Sequence, residues 1–152
     1  MDVERIVQPA YCVIGHEGST ADGAGFVMRL WQLSNERFAE AAHLARREAD
    51  GRLHAAWGCM SALDRSFAPW EDFDKGLYLA GFEALPDAAP PEGWVRWDVP
   101  GYEAIRVPAG EGAFAEALKY LESEGLELVL AQQDYTDTAT GRNYLVFPIR
   151  RL

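Results

Sequence analysis

Cysteine is nearly absent from this chain of 152 residues, which carries only Cys12 and Cys59. Their separation fits no metal or redox motif, and both lie in apolar stretches, so they read as buried thiols rather than a disulfide. Histidine is also scarce. His16, His43 and His54 show no ligand spacing, and no metal is expected. No apolar run approaches the ~20 residues that a membrane-spanning helix needs. The opening "MDVERIVQPA" lacks a basic segment followed by an apolar one, so no signal peptide is expected and the cytoplasm is the expected location. Positive charge is in short supply, with 14 Lys and Arg against 24 Asp and Glu, a net −10. Nucleic-acid binding rests on cationic side chains against phosphates, so the balance speaks against a direct nucleic-acid partner. Motifs for chemistry are missing too. There is no Gly-x-Ser-x-Gly, no phosphate loop and no Cys-His nucleophile pattern, and "DGAGF" and "GEG" read as turns. No catalytic residue is assigned and no cofactor is called for.

What the chain does have is an internal echo. "QPAYCVIG" (8–15) returns as "VPGYEAIR" (99–106), so Pro9, Tyr11 and Ile14 answer to Pro100, Tyr102 and Ile105. "PDAAPPEG" (86–93), with three prolines and a glycine, reads as a linker between the two copies. Before it, alternation and helical spacing predict a strand over 10–16, a helix within 26–50, and strands over 52–62 and 77–85. After it they predict a strand over 94–109 broken at Pro-Gly, a helix over 110–125, and strands over 126–135 and 142–152. The expected fold is one α+β domain over 1–152, made of two βαββ repeats, about 5–85 and 94–150, related by a pseudo-twofold. Neither unit has enough core to stand alone. Packed together, they give antiparallel strands with both helices on one side and a groove at the seam, a usual place for small ligands.

Aromatic residues are the candidates for lining that groove. Five tryptophans are present. Trp31 and Trp57 are open between core and pocket wall, Trp70 sits in a polar loop that could fold over the groove, and Trp94 and Trp97 flank the linker as structural residues. Tyr78, Ala80 and Phe82 share one strand face, while Leu77, Leu79, Gly81 and Glu83 share the other. "YL" at 78–79 echoes "YL" at 144–145, so Tyr78 and Tyr144 are expected to be equivalent pocket aromatics. A bulge at Gly81 would be needed to bring Glu83 to the same side.

The stretch "LYLAGFEAL", the proline linker, "WDVPGYEAIRVPAGEGAFAEALKYL" and the ending "NYLVFPIRR" resemble the GyrI-like family. That family includes effector-binding domains of AraC- and MerR-type regulators and stand-alone proteins, some from integron cassettes. The resemblance covers residues 77–150 well. The first 76 are similar mainly in element order and in Trp31. It implies a groove that binds hydrophobic, often cationic, compounds among aromatics around a buried carboxylate. Hydrolysis of electrophilic toxins, through a Glu and an aromatic hydroxyl, and gyrase inhibition through a protein partner are the alternatives it carries. The chain departs from the family pattern at two places. The family's closing Glu falls at Tyr144, and the acid of its Glu-x-Tyr strand falls at Gln133, two residues before Tyr135. Asp134 is expected to point away. The expected ligand site is Trp31, Trp57, Trp70, Tyr78, Phe82, Glu83, Gln133, Tyr135 and Tyr144, with a preference for neutral or weakly cationic hydrophobic molecules. No helix-turn-helix fits outside the repeats, so the expected role is that of a stand-alone binder.

Overall fold

A computed structural model describes residues 2–152. Two helices and eight strands follow in the order β1 (Glu4–Gln8), β2 (Tyr11–Ser19), α1 (Phe26–Glu36), β3 (Ala56–Ser61), β4 (Leu77–Glu83), β5 (Val95–Val99), β6 (Tyr102–Pro108), α2 (Ala113–Ser123), β7 (Gln133–Thr136) and β8 (Asn143–Arg151). The strands form one antiparallel sheet in the order β1-β6-β8-β7-β3-β4-β2-β5. That order is symmetric about the β7–β3 seam. Each half contributes a strand pair, a helix and a further strand pair, and the first strand of each half crosses to the other. β1 pairs with β6, and β5 pairs with β2. The break at Pro9-Ala10 and again at Pro100-Gly101 allows this exchange, because proline cannot donate to a ladder and ends the first strand before the chain turns. The sequence predicts a single strand over 10–16 at the first place and one interrupted strand over 94–109 at the second. The structure has two at each, with partners in opposite halves.

Tyr11 and Tyr102 lie on the symmetry axis, their hydroxyls 2.8 Å apart across 91 residues of chain. Four strands separate β2 from β6 in the sheet. At ~4.8 Å per step a flat sheet would hold them more than ~20 Å apart. The sheet therefore curls into a half-barrel, and the face bearing both tyrosines is concave. Val13, Trp57, Cys59, Leu79, Trp97, Val99, Ala104 and Val146 fill that face. The intervening residues point to the convex face, where α1 covers His16 and Ala80 on β2 and β4, the segment after α1 covers Ile14 and Phe82, and α2 covers Ile105, Val107 and Phe147 on β6 and β8. Both helices begin in the same way, at a glycine in the left-handed region: Gly25 (φ 78°) and Gly112 (φ 77°).

Register corrects one sequence equivalence. Ile14 faces Phe82 as Ile105 faces Phe147, and Glu17 faces Leu79 as Pro108 faces Tyr144. Tyr144 is thus the counterpart of Leu79, not of Tyr78, and lies on the other face of the sheet. The "YL" echo is one residue out of step. The helix expected within 26–50 ends at Glu36 and gives way to single 3-10 turns at Phe38–Glu40 and Ala42–Leu44. Phe38 drops onto Phe82 there, with ring centroids 5.5 Å apart, and Ala41 and Ala45 join the same cluster. Tertiary packing overrides helix propensity in this stretch. Of the strand expected over 126–135 only Gln133–Thr136 forms. The preceding backbone bonds to scattered partners instead, with the Val129 amide donating to Pro148 O and the Ala131 amide to Phe67 O.

Candidate functional site in the groove between the helices

With α1 on β2 and β4 and α2 on β6 and β8, the seam strands β3 and β7 floor a groove on the convex face. β3 contributes Gly58, and β7 contributes Asp134 directly opposite it. This pair marks the pseudo-twofold, and its two members differ for a physical reason. Tyr78 on β4 lies across Gly58, and a Cβ there would collide with the Tyr78 hydroxyl. The missing side chain lets that hydroxyl reach over the neighbouring strand and donate to Asp134 Oδ2 at 2.8 Å. Trp31 Nε1 on α1 donates to the Tyr78 oxygen at 3.1 Å, and Gln132 Nε2 donates to Asp134 Oδ1 at 2.7 Å. A chain of donors thus runs from the helix to a single carboxylate.

Burial raises the Asp134 pKa, and hydrogen bonds from Gln132 and Tyr78 pull it part of the way back. Burial, followed by the carboxylate charge, pushes the Tyr78 phenol well up, so it remains a donor. A cleft of about 430 Å³ opens over this group, lined by Trp31, Tyr78, Asp134, Thr136, Asn143 and Leu145 among others. At the far end of the groove is a more apolar cavity of about 240 Å³, between Met60, Trp70, Phe73, Phe114, Leu128 and Gln132. Gln132 borders this second cavity while its amide holds Asp134. The loop after β3 closes that end. Trp70 Nε1 donates to Leu77 O at 3.0 Å, its indole lying where a side chain on Gly76 would collide. Phe73 meets Phe114 of α2 edge-on. Every non-glycine residue with positive φ among the described residues falls in this loop: Arg65, Phe67, Asp72 and Phe73. Backbone held in that region is strained, and such strain gathers at ligand clamps and switches.

The expected site residues divide between the two faces. Trp31, Tyr78 and Trp70 border the groove. Phe82 shares the convex face but is sealed under Phe38 and Trp94. Trp57, Glu83 and Gln133 lie on the concave side. β4 keeps unbroken register on both sides, so no bulge at Gly81 turns Glu83 round. Glu83 is 2% exposed and already engaged, accepting from Trp57 Nε1 at 3.1 Å and from Arg46 at 2.7 Å. Gln133 is the residue that the sequence puts in an acid's place. It is 1% exposed, and all its hydrogen bonds go to backbone: its oxygen accepts from the Met60 amide, and its amide donates to Met60 O and Ala131 O. It is a patch on the sheet, not a pocket residue, and the carboxylate in the groove is its neighbour Asp134. Tyr135 and Tyr144 reach the rim of the larger cleft, but their rings belong to a concave-face stack. Trp57 lies 4.9 Å from Tyr135, Tyr135 lies 6.1 Å from Tyr144, and the Arg106 guanidinium caps Tyr144 at 4.7 Å. Sequence reasoning missed Asp134, Gln132 and Phe114 as groove residues. Alternation alone does put Asp134 opposite the face of Gln133 and Tyr135. Knowing which of those faces the helices leave open would have required the β3–β7 pairing.

No protein-family model matches the sequence, and no curated protein matches it. Solved structures do share its architecture. The C-terminal domain of EcmrR superposes with a TM-score of 0.66 at 13% identity, covering 99% of this chain and 98% of that domain. The fold is GyrI-like. SAV2435 bound to tetraphenylphosphonium gives a TM-score of 0.64 at 12% identity, over 99% of this chain and 94% of that one. An integron cassette protein from the mobile metagenome of Vibrio cholerae gives 0.55 at 12%, over 99% and 95%. The chain spans 58% of EcmrR as seen in its DNA complex, with a TM-score of 0.65 and 11% identity. The GyrI-like fold so defined is the α+β half-barrel with two helices on its convex face. Among the described residues, no helix is long and apolar enough to cross a membrane and no cluster of His, Cys, Asp and Glu could hold a metal.

Proposed function

We propose that this protein binds hydrophobic cations in the groove between α1 and α2, with Asp134 as the counter-charge. The observation that carries this reading is the Trp31–Tyr78–Asp134 chain on the floor of an aromatic-walled cleft of about 430 Å³. A partly buried carboxylate whose oxygens take only neutral donors has no cation of its own, and a ligand cation would supply one. The partly exposed Trp31 indole beside it adds cation–π attraction of ~0.5–2 kcal/mol, while the buried Tyr78 contributes its hydroxyl. This revises the preference for neutral ligands inferred from Gln133, because the acid is present one residue further on. SAV2435 was solved with tetraphenylphosphonium, which makes that ion the natural probe.

Tetraphenylphosphonium should quench tryptophan fluorescence saturably, and Asp134→Asn should weaken its binding about tenfold, roughly the worth of one charge-assisted contact. Neutral triphenylphosphine oxide should respond little to that substitution. Affinity for the cation should rise with pH as Asp134 loses its proton, above the ordinary carboxylate range, and the neutral probe should show no such rise. Equal responses of both probes to Asp134→Asn would refute the reading. Asp134 and the Tyr78 hydroxyl also form the acid and phenol pair that hydrolysis of an electrophilic ligand needs, so appearance of a product during incubation would replace binding by turnover.

A further inference from the structure

A separate cavity of about 570 Å³ opens at one end of the half-barrel, where β2 begins and where β4, β5 and β8 end. It lies away from the groove and shares no lining residue with either groove cavity. Its charge is the reverse of the chain's. Three guanidiniums, Arg46, Arg96 and Arg151, stand there with two carboxylates, Glu83 and Asp98, in a protein of net charge −10.

Both acids are already committed. Glu83 is held by Trp57 Nε1 and Arg46 Nη1. Asp98 accepts from Arg96 Nε at 3.1 Å and Nη2 at 2.8 Å. Arg96 is also fixed by Ala88 O and Pro86 O, both at 2.7 Å. The acids thus anchor two guanidiniums, Glu83 beneath Arg46 and Asp98 through one oxygen to Arg96, and the three arginines leave the cavity one positive charge in excess. Arg46 gives only one of its terminal nitrogens to Glu83 and keeps about half its surface in solvent. Arg151 has no ion-pair partner among the described residues. The remaining wall is apolar, built from Phe67, Leu85, Pro86, Val99 and Pro100. The volume is within the range of ordinary small-ligand sites, and barrel mouths are a usual place for them.

We infer that this cavity is a second binding site, taking an amphiphilic organic monoanion whose carboxylate meets Arg46 and Arg151 and whose apolar body lies along Phe67 and Val99. Guanidiniums suit a carboxylate because their planar donor edge matches it. The two sites select opposite charges, one over the seam of the convex face and the other at the end of the half-barrel. One loop serves both, since Phe67 borders this cavity while Trp70 and Phe73 border the groove.

Calorimetric titration with sodium decanoate below its micelle concentration tests the site directly, with decyltrimethylammonium titrated into the Asp134→Asn variant, whose groove lacks its counter-charge, as the charge-reversed control. Decanoate should bind one to one. Arg151→Gln, at the exposed end of β8, should weaken it about fivefold, the size expected of an exposed ion pair. Phe67→Ala should weaken it further, with folding checked by circular dichroism. Asp134→Asn should leave decanoate binding unchanged, which separates this site from the groove whether or not the groove takes cations. Absence of saturable decanoate binding overturns the inference. So does binding that survives both Arg151→Gln and Phe67→Ala, or binding that Asp134→Asn abolishes.

Discussion

The two faces of the sheet are built from the same strands by alternate residues, yet their polar groups are treated differently. On the concave face Glu83, Gln133 and the axial tyrosines are satisfied from within and the aromatics are stacked, while Arg106 Nε alone is buried among the described residues without a hydrogen-bond partner. Glu83 has Trp57 and Arg46, Gln133 has three backbone partners, and Tyr144 has Arg106. The two axial tyrosine hydroxyls have each other, and burial raises the pKa of both. On the convex face the corresponding seam carries a carboxylate with neutral donors only and open space above it. A saturated network holds a fold together, whereas an incompletely compensated one leaves a role for a ligand. Aromatic richness in the sequence therefore does not by itself locate the site. Trp57 and Tyr135 stabilise the half-barrel, and Trp31 and Tyr78 face the cleft.

Substitutions on the concave face should sharpen this contrast. Trp57→Ala removes a fully buried indole and strips Glu83 of a donor, and should reduce stability by about 3–5 kcal/mol in urea unfolding. A loss below ~1 kcal/mol would mean that the concave stack is not what holds the half-barrel closed. Gln133→Glu should be next in size. It replaces two amide donations with a buried carboxylate facing carbonyls, at a cost of about 2–3 kcal/mol. The affinity of the folded protein for tetraphenylphosphonium should not change. Tighter cation binding without a loss of stability would instead put residue 133 in the groove. The smallest effect is expected at the axis. Tyr11→Phe and Tyr102→Phe should each lower stability by ~1 kcal/mol, and the double variant should fall by less than the sum, since either single change leaves the other hydroxyl unpaired. Strict additivity in that cycle would show that the hydroxyls do not depend on each other.

Asp134 also links stability to pH. Its carboxyl holds its proton to higher pH in the folded protein than in the unfolded chain. This group therefore stabilises the fold below the ordinary Asp value of ~3.9, and that contribution is lost as the pH rises through the raised value. Asp134→Asn should remove that slope from a series of thermal melts, and an unchanged slope would place its origin elsewhere.

Much of this architecture was legible in the sequence because it is local. The Pro-x-Tyr-x-x-Ile echo located two tyrosines that turn out to touch, and the Pro-rich segment marked the passage from β4 to β5. Alternation on β4 correctly separated Tyr78 from Glu83. What the sequence concealed depended on pairing between distant strands. The exchange of β1 and β5 cannot be read from either half alone. The slip between Tyr78 and Tyr144 follows from register, where one residue reverses a face. Gln133 and Asp134 were exchanged in role for the same reason: the preference between adjacent residues is set by which side of β7 the helices leave uncovered.

The reciprocal exchange of first strands has a consequence in time as well as in space. β2 receives its outer neighbour only when β5 exists, and Glu4 meets Arg106, 102 residues further along the chain. A chain growing from its N-terminus must therefore carry β1 and the outer side of β2 as unpaired strand edges until more than half of it has been made. Closing such long loops slows folding, and open edges invite pairing with other chains. The first half synthesised by itself should accumulate as aggregate, and the intact protein should gain its structure late and all at once, when the second half delivers both missing partners.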